Sequence, residues 1–348
     1  MEIFRVRNAS AALPLIVQKL LEHGEYIDSR NGKTITFPTP VMTIYECPSE
    51  KVLYSDVRDA NPFFHLMEAV WMLHGENDAA FLNYYVRDFG LRFGDQGIIH
   101  GAYGHRWVHG FGFNQIKSVI NRLKQNPLDR QAVIQMWDSN SENFNDLNGD
   151  VLDRPCNTQI YFRVRDNSLE MTTTARSHDC VWGATGANAV HFPVLQEYIA
   201  GMLGIRVGKF YQFSNNYHMY ERVFIDLLNR CIKQQGYGAM HMPISLIIRE
   251  GLSDVRDIRP EPLISNPETF DEELTKTLKK IRFWHENGYD DNPLVLRNDF
   301  LQKTVLPMAG AHFIFKQKNI EEAIKLTDQV KSEDWRTAAK EWLLRRVK

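Results

Sequence analysis

The sequence predicts an α+β protein with a mixed sheet, packed helices and a helical C-terminal extension. Strand-like and helix-like segments follow one another without the regular strand–helix alternation of parallel α/β folds. After about residue 245 a proline-rich connector leads into helical periodicity. We therefore expect a catalytic domain over residues 1–250 and a mostly helical extension over residues 251–348 that packs on it. The extension contains predicted helices over 272–287, 319–330 and 332–347, the last of them with Ser332 as its N-cap.

Periodicity and end signals predict the segments of the first domain. Asn61 and Pro62 open an apolar helix that Gly75 ends, because asparagine caps helices, proline fits the first turn and glycine suits the C-terminal end. The turn Asp166-Asn167-Ser168 joins two alternating segments and predicts a hairpin. The other predicted elements are strands over 40–46, 131–137 and 209–215, helices over 115–127, 188–203 and 222–234, and a last strand over 245–250.

The composition argues against several classes of function. The 348 residues are 43% hydrophobic with a net charge of −2, which allows a large core and indicates no nucleic-acid or membrane partner. No stretch approaches the ~20 apolar residues of a membrane span, and the N-terminal segment lacks an apolar signal core. Four cysteines lie far apart without metal spacing. We expect free thiols, no metal and a cytoplasmic location.

Three clusters between residues 154 and 220 carry chemically useful side chains. Cys156 follows a proline at the start of a predicted strand, and a thiolate needs a cationic neighbour to lower its pKa. Arg176 and Ser177 close the paired strand, and arginine binds phosphate through bidentate hydrogen bonds. Polar and aromatic residues fill positions 214–220. Each cluster alone also fits a structural role, as a packed free cysteine, a turn or a satisfied polar pair.

The order and spacing of these clusters resemble those of the thymidylate synthase family. The shared pattern is a Pro-Cys pair, an Arg-Ser-x-Asp segment about twenty residues later, then a glycine, an asparagine and a His-x-Tyr pair. Upstream matches add Arg30 in a predicted loop, Glu68 in a predicted helix, Tyr103 in a Tyr-Gly-x-x-Trp segment, and Arg130. The resemblance extends from about residue 28 to residue 250, and implies the family's mixed α+β fold and a homodimer.

The resemblance implies a role for each matched residue. Cys156 would add to C6 of a pyrimidine nucleoside 5′-monophosphate, so that C5 attacks the one-carbon unit of 5,10-methylenetetrahydrofolate, a co-substrate. Glu68 would organise water for proton transfer, and Tyr103 and Asp179 would also be catalytic. The implied binding residues are Arg30, Arg176 and Ser177 for the phosphate with Arg130 from the second subunit, His218 and Tyr220 for the sugar, Asn188 for the base, and Asp179, Gly183 and Phe89 for the folate. Glu68 also fits a buried helix acid, and Asn188 a helix N-cap.

Several departures from the family pattern bear on the reaction. Loss of the tryptophans that wall the folate, and of a short tail that closes the site, would admit water to the carbon carried by C5. Water gives a hydroxymethyl group there, whereas hydride from the folate gives a methyl group. The departures are Phe89 and Arg92 in place of tryptophans, Gln131 in place of a second interface arginine, Asn157 in place of a histidine, residues 251–348 in place of the short tail, and one extra residue between Gly183 and Asn188.

These departures favour C5-hydroxymethylation of dCMP, CMP or dUMP, with the reductive methylation of dUMP to thymidylate as the alternative. The amide of Asn188 suits uracil and, when flipped, serves cytosine. The hydroxymethylase features favour cytosine, and the choice between ribose and deoxyribose stays open. Two hypotheses of other classes are an inactive nucleotide-binding homologue and a thiol hydrolase that pairs Cys156 with His178 or His218.

Overall fold

The structure, a computed structural model, describes residues 1–145, 153–236, 241–290 and 292–347. Its strands are β1 (Glu2–Val6), β2 (Glu25–Ser29), β3 (Gly32–Thr36), β4 (Val41–Tyr45), β5 (Val133–Gln135), β6 (Asn157–Arg165), β7 (Ser168–Ala175), β8 (His178–Asp179), β9 (Arg206–Ser214) and β10 (Tyr217–Tyr220). Its α-helices are α1 (Ala9–His23), α2 (Pro62–His74), α3 (Ala79–Asn83), α4 (Phe89–Phe93), α5 (Tyr103–Val108), α6 (Gln115–Gln125), α7 (Asn188–Leu203), α8 (Glu221–Gln235), α9 (Ile244–Leu252), α10 (Phe270–Asn287), α11 (Leu306–Lys316), α12 (Ile320–Thr327) and α13 (Glu333–Leu344). Within the described ranges no helix has the length and apolar character needed to cross a membrane.

Six strands form one mixed sheet in the order β1-β4-β9-β7-β6-β5. Strands β6 and β7 form the predicted hairpin, whose turn residues Asp166 and Asn167 have positive φ angles of 49° and 54°, as a type I′ turn requires. Strands β7 and β9 are parallel, and α7 packs against both. The mixture of parallel and antiparallel pairs, with helices packed on the sheet, confirms the predicted α+β class.

A smaller sheet of order β2-β3-β10-β8 carries several candidate residues. Arg30 lies in the turn between β2 and β3, His218 in β10 and Asp179 in β8. Strand β10 pairs antiparallel with β3 and parallel with β8, and His218 lies opposite Asp179 in that register. The sheet therefore joins the N-terminal arginine turn to the second and third clusters of the sequence.

Helix α2, which carries Glu68, has the ends that its sequence predicts. The side-chain oxygen of Asn61 accepts a hydrogen bond from the backbone N–H of Phe64 at 3.1 Å. Pro62 is the first helical residue, and Gly75 ends the helix in the left-handed conformation, with φ 89° and ψ 24°. Most of the helix is buried, so the position of Glu68 is set by packing of the core.

The predicted strand over residues 245–250 is wrong, because these residues lie in helix α9. The buried positions of α9 are Ile247, Ile248, Gly251 and Leu252, a spacing that fits one face of a helix and does not alternate. A short apolar run fits a strand or a helix equally well, and packing against α1 and α8 decides the outcome here.

Helices α10, α11 and α13 pack against the first part of the chain through α2, and α12 packs on α11 and α13. The three predicted helices correspond to α10, α12 and α13, and Ser332 occupies the N-cap position of α13 without a side-chain capping bond. The ring of Phe63 in α2 meets that of Trp342 edge-on, with centroids 5.6 Å apart, and Arg346 pairs with Asp59 at 2.8 Å. The predicted boundary at residue 250 falls inside α9, and the division into two domains stays a prediction.

The variant Gly75→Ala should destabilise the protein more than Gly204→Ala. Both glycines end a helix with a left-handed φ, 89° and 69°, so alanine costs about 1–2 kcal/mol of backbone strain at either position. A Cβ at position 75 would also lie 2.7 Å from the Cβ of Val108, whereas a Cβ at position 204 would meet nothing within 4 Å. Urea or thermal unfolding of both variants measures the difference. Equal losses would mean that Val108 moves aside without cost.

Candidate active site

Cys156 lies directly before β6, beside Arg176. The carbonyl oxygen of Cys156 accepts a hydrogen bond from the backbone N–H of Arg176 at 2.9 Å, and the Nε of Arg176 donates to the carbonyl oxygen of Pro155 at 3.1 Å. Burial raises the pKa of the Cys156 thiol, while the Arg176 guanidinium acts to lower it. The guanidinium also lies over the ring of Trp137, 5.4 Å from the centroid. The first two clusters of the sequence are therefore direct neighbours.

The hydroxyl of Tyr103 approaches the start of the same strand. Its oxygen accepts hydrogen bonds from the backbone N–H of Asn157 at 3.3 Å and from the Asn157 side-chain Nδ2 at 3.1 Å. Burial raises the pKa of the Tyr103 hydroxyl, which keeps the group protonated. Because both contacts use the oxygen as acceptor, the hydroxyl proton is left to donate near Cys156.

One face of α7 connects three parts of the site. Asn188, His191 and Phe192 are three and four residues apart and so share this face. The Nε2 of His191 lies 3.1 Å from Oε2 of Glu68 in α2, and Phe192 packs on Tyr103 with ring centroids 5.7 Å apart. The His191–Glu68 contact is close enough for an ion pair but lacks hydrogen-bond geometry, so both atoms are buried without a hydrogen-bond partner among the described residues. Each can still bind a water or a substrate atom.

The side chain of Asn188 faces a buried histidine. Its Nδ2 lies 2.7 Å from Nε2 of His178, and Nδ1 of His178 lies 2.7 Å from Oγ of Ser214. Ala187 occupies the N-cap position of α7, so the N-cap interpretation of Asn188 is wrong. Burial lowers the pKa of His178 to about 3, which keeps the ring neutral. Both ring nitrogens are occupied, which argues against His178 as the base of a thiol hydrolase with Cys156.

Asn188 follows a π-helical segment, Cys180–Ala187, which is interrupted at Gly186 by non-helical angles (φ −111°, ψ −116°). The backbone N–H of Asn188 donates to the carbonyl oxygen of Gly183, five residues back. Single π turns are found as local insertions in helices, so the extra residue expected from the family resemblance would fall in this segment. A Cβ at Gly183 would lie 3.4 Å from Cδ2 of His178 and 3.8 Å from Nδ2 of Asn188, so this glycine packs against that pair.

Asp179 caps the same segment beside an exposed indole. One carboxylate oxygen accepts a hydrogen bond from the Trp182 backbone N–H at 2.5 Å, and Oδ2 is buried with no partner in the described part of the chain. Burial raises the pKa of Asp179 to about 6, against backbone hydrogen bonds and Arg58, which lower it. The Arg58 guanidinium lies over the ring of Trp182 at 4.1 Å, and Trp182 is 56% exposed. An unpartnered oxygen beside a flat exposed ring fits a planar ligand with N–H donors, such as a pterin.

The third cluster keeps His218 and Tyr220 together. The Nδ1 of His218 lies 2.8 Å from Oδ1 of Asn216, and the His218 and Tyr220 rings are perpendicular with centroids 5.3 Å apart. Burial lowers the pKa of His218. Ser177 is half-buried and directly precedes β8 of the small sheet.

Three predicted residues lie outside this network of contacts. Arg30 is exposed in the β2–β3 turn, and Arg130 is exposed just before the edge strand β5. The Phe89 ring packs against Phe64 and Phe93, with centroids 5.5 and 4.9 Å away. These contacts leave the predicted roles of the three residues untested.

The sequence reasoning missed four residues that contact the predicted ones. His191 carried a usable signal, because a histidine one turn after Asn188 on an otherwise apolar helix requires a polar partner. Ser214 belongs to the third cluster of the sequence, but neither it nor Arg58 and Trp182 carried a signal for these contacts, which depend on how separate elements pack. His178 was considered only as a hydrolase base.

Comparisons with known proteins agree on one family. A family model described as "Thymidylate synthase" matches residues 14–263. The chain is 38% identical over 353 aligned residues to a deoxyuridylate hydroxymethyltransferase of Pseudomonas phage M6, covering 99% of this chain and 95% of that one. It is 33% identical over 216 residues to the deoxyuridylate hydroxymethyltransferase of Bacillus phage SP01, covering 59% and 55%. It is 32% identical over 181 residues to a thymidylate synthase of Bacillus licheniformis, covering 49% and 60%.

The variant Arg176→Ala should slow alkylation of Cys156 at neutral pH. Removing the guanidinium removes the cation that lowers the pKa of the thiol, so the pH profile of alkylation moves to higher pH. Iodoacetamide labelling followed by mass spectrometry measures the profile, in a Cys47→Ala background because Cys47 is exposed. Arg165→Ala, an exposed arginine on the same hairpin, is the control and should leave the profile unchanged. A profile that is equally unchanged in Arg176→Ala would contradict the expectation.

Proposed function

The chain belongs to the thymidylate synthase family, and on that premise we propose that it hydroxymethylates C5 of deoxyuridylate, with 5,10-methylenetetrahydrofolate as co-substrate. The family comprises one-carbon transferases. The observation that carries the choice of reaction is the similarity to the Pseudomonas phage M6 deoxyuridylate hydroxymethyltransferase over 99% of this chain. That match continues past residue 263, where the family model ends, and so includes the helical extension.

Cys156 supplies the nucleophile in this proposal. Its Sγ adds to C6 of uracil, which makes C5 nucleophilic toward the one-carbon unit that the folate supplies. Arg176 supports this role, since its guanidinium is bonded to the backbone next to the thiol. The buried Oε2 of Glu68 is suited to hold the water that accepts the C5 proton. The hydroxyl of Tyr103, whose oxygen accepts from Asn157, is suited to donate a hydrogen bond nearby.

The other candidate residues bind the two substrates. A phosphate held away from the reacting carbon positions C6 against the sulfur, because binding energy gained there is used for orientation. The unpartnered oxygen of Asp179 and the exposed ring of Trp182 support a folate beside them. The proposed contacts are Arg30, Arg176, Ser177 and the partner's Arg130 for phosphate, His218 and Tyr220 for the sugar, Asn188 for the base, and Asp179, Gly183 and Phe89 for the folate.

Water, and not hydride, completes the transfer in this proposal. Arg92 is exposed and Phe89 packs on Phe64, which supports a folate site without the tryptophan wall. Reductive methylation to thymidylate is the second candidate, because relatives named thymidylate synthase also match and because Trp182 offers one indole beside Asp179. The retained Cys156 and Arg176 argue against an inactive nucleotide-binding homologue.

One open face of the large sheet supports a homodimer. The register of β4, β5, β6, β7 and β9 aligns a set of half-buried or exposed side chains on one face, while α7 packs against β7 and β9 on the other. A second copy of the chain would cover this face, and Arg130 lies at its edge before β5. The residues of this face are Met42, Val133, Gln159, Tyr161, Thr172, Thr174, Tyr211 and Phe213.

Incubation with methylenetetrahydrofolate should convert dUMP to its 5-hydroxymethyl derivative and release tetrahydrofolate. No hydride leaves the folate ring in that reaction, so the ultraviolet absorbance of dihydrofolate should not appear. Mass spectrometry of parallel reactions with dUMP, dCMP and CMP measures the product and the preferred base and sugar. Cys156→Ser should lower turnover by several orders of magnitude and abolish tritium release from [5-³H]dUMP. Stoichiometric dihydrofolate with a methylated product would establish the second candidate instead.

Mixing inactive Cys156→Ser subunits with inactive Arg130→Ala subunits should restore activity. In a heterodimer one of the two sites then has both an intact Cys156 and an intact Arg130 from its partner. The control replaces Arg130→Ala with Arg176→Ala. Because Arg176 contacts the backbone beside Cys156 in the same subunit, each site of that heterodimer lacks one of the two groups, and the mixture should stay inactive. If Cys156→Ser and Arg130→Ala subunits exchange and the mixture stays inactive, Arg130 does not act across the subunit interface.

A further inference from the structure

The imidazole of His178 joins the candidate base-binding residue Asn188 to Ser214. His178 is 1% exposed, in β8, and its backbone is held by pairing with β10. Gly183 packs against one part of the ring, and Tyr217 meets it edge-on with centroids 6.3 Å apart. The ring is therefore confined, and both of its nitrogens have a polar neighbour at 2.7 Å.

The neighbours of a neutral imidazole determine where its single proton lies. Burial keeps His178 neutral, so one nitrogen donates and the other accepts. Nε2 faces the amide nitrogen of Asn188, which can only donate, so Nε2 is the acceptor. The proton then lies on Nδ1 and is donated to Oγ of Ser214. The opposite amide orientation requires the proton on Nε2 and a hydroxyl that donates to Nδ1, so all three groups would have to change together.

The orientation of this amide decides which pyrimidine edge Asn188 complements. With Nδ2 held by His178, the side chain retains its carbonyl oxygen as acceptor and its second amide hydrogen as donor. Uracil presents an N3–H donor beside the O4 acceptor and matches this pair. Cytosine presents an N3 acceptor beside an amino donor and matches the flipped amide.

We propose that His178 is a positioning residue that fixes the amide of Asn188 and thereby selects uracil over cytosine. The inference rests on the proposed function, because it concerns the base of the same substrate. Asn188 alone does not discriminate between uracil and cytosine, because an unrestrained amide can rotate to complement either base. The buried ring restrains that rotation, because the amide can turn only if the imidazole tautomer and the hydroxyl of Ser214 change with it.

The test compares discrimination between two nucleotides in the full-length protein. The ratio of kcat/KM for tritium release from [5-³H]dUMP to that from [5-³H]dCMP should fall about tenfold or more in His178→Phe, which fills the space without a polar atom. Ser214→Ala, which removes only the Nδ1 partner, should give a smaller fall. The matched control is Thr185→Val, which removes a buried hydrogen bond to the Cys180 carbonyl oxygen in the adjoining segment and should leave the ratio unchanged.

Two further measurements separate this inference from the proposed function and from misfolding. Nuclear magnetic resonance of ¹⁵N-histidine-labelled protein, with His178 assigned by its loss in His178→Phe, should report the Nδ1–H tautomer with and without dUMP. If the protein turns over neither nucleotide, the proposed reaction fails. The role of His178 is then tested separately by calorimetry, which compares the ratio of the dissociation constants for dUMP and dCMP in the wild-type protein and in His178→Phe. An Nε2–H tautomer, or equal losses for both nucleotides in His178→Phe, would overturn the inference.

Discussion

The geometry of the site depends on the burial of helix α7. Because this helix is buried along nearly its whole length, every polar side chain on it needs a partner within the protein. Gln196 donates to the carbonyl oxygen of Leu169 in β7 at 2.7 Å, and Lys51 donates to Glu197 at 2.8 Å. These bonds fix the rotation of the helix about its axis. The face that carries Asn188 is fixed with them, and through it the helix orders α2 and the small sheet.

Desolvation is the common electrostatic influence on the groups around Cys156. It raises the pKa of the thiol, raises the pKa of Asp179 to about 6 and lowers the pKa of His178 to about 3, so each shift favours a neutral form. These three groups lie close to Arg176, which is exposed, and to Arg58, which is buried. In the proposed function a charged substrate group would be bound at the rim by Arg176, which is exposed, while the reacting base would lie deeper, beside Asn188 and His178.

Features that depend on neighbouring residues in the chain could be predicted from the sequence. The ends of α2 follow from Asn61 and Gly75, and the β6–β7 hairpin follows from its turn, which in turn brings Cys156 next to Arg176. The error at residues 245–250 arose where a short apolar run carries no period of its own.

Contacts between distant segments could not be predicted from the sequence. The pairing of Glu68 with His191, and of Asn188 with His178, depends on how α2, α7 and β8 pack. Whether Arg130 extends into the site of a second subunit depends on how two chains assemble. The roles of the matched residues come from the family resemblance, and contacts within one chain leave those roles as predictions.

The π-helical segment Cys180–Ala187 has a consequence for the evolutionary history of the site. A single inserted codon in an ordinary helix would rotate everything after it by about 100°, since an α-helix has 3.6 residues per turn. Here the π-helical segment before Asn188 and its break at Gly186 (φ −111°, ψ −116°) offer a place for an extra residue that does not rotate α7. Ancestral proteins could therefore gain or lose this codon without rebuilding the pocket. A residue-by-residue alignment of the family must allow its gap inside this turn, or every position of α7 will be matched one place out of step.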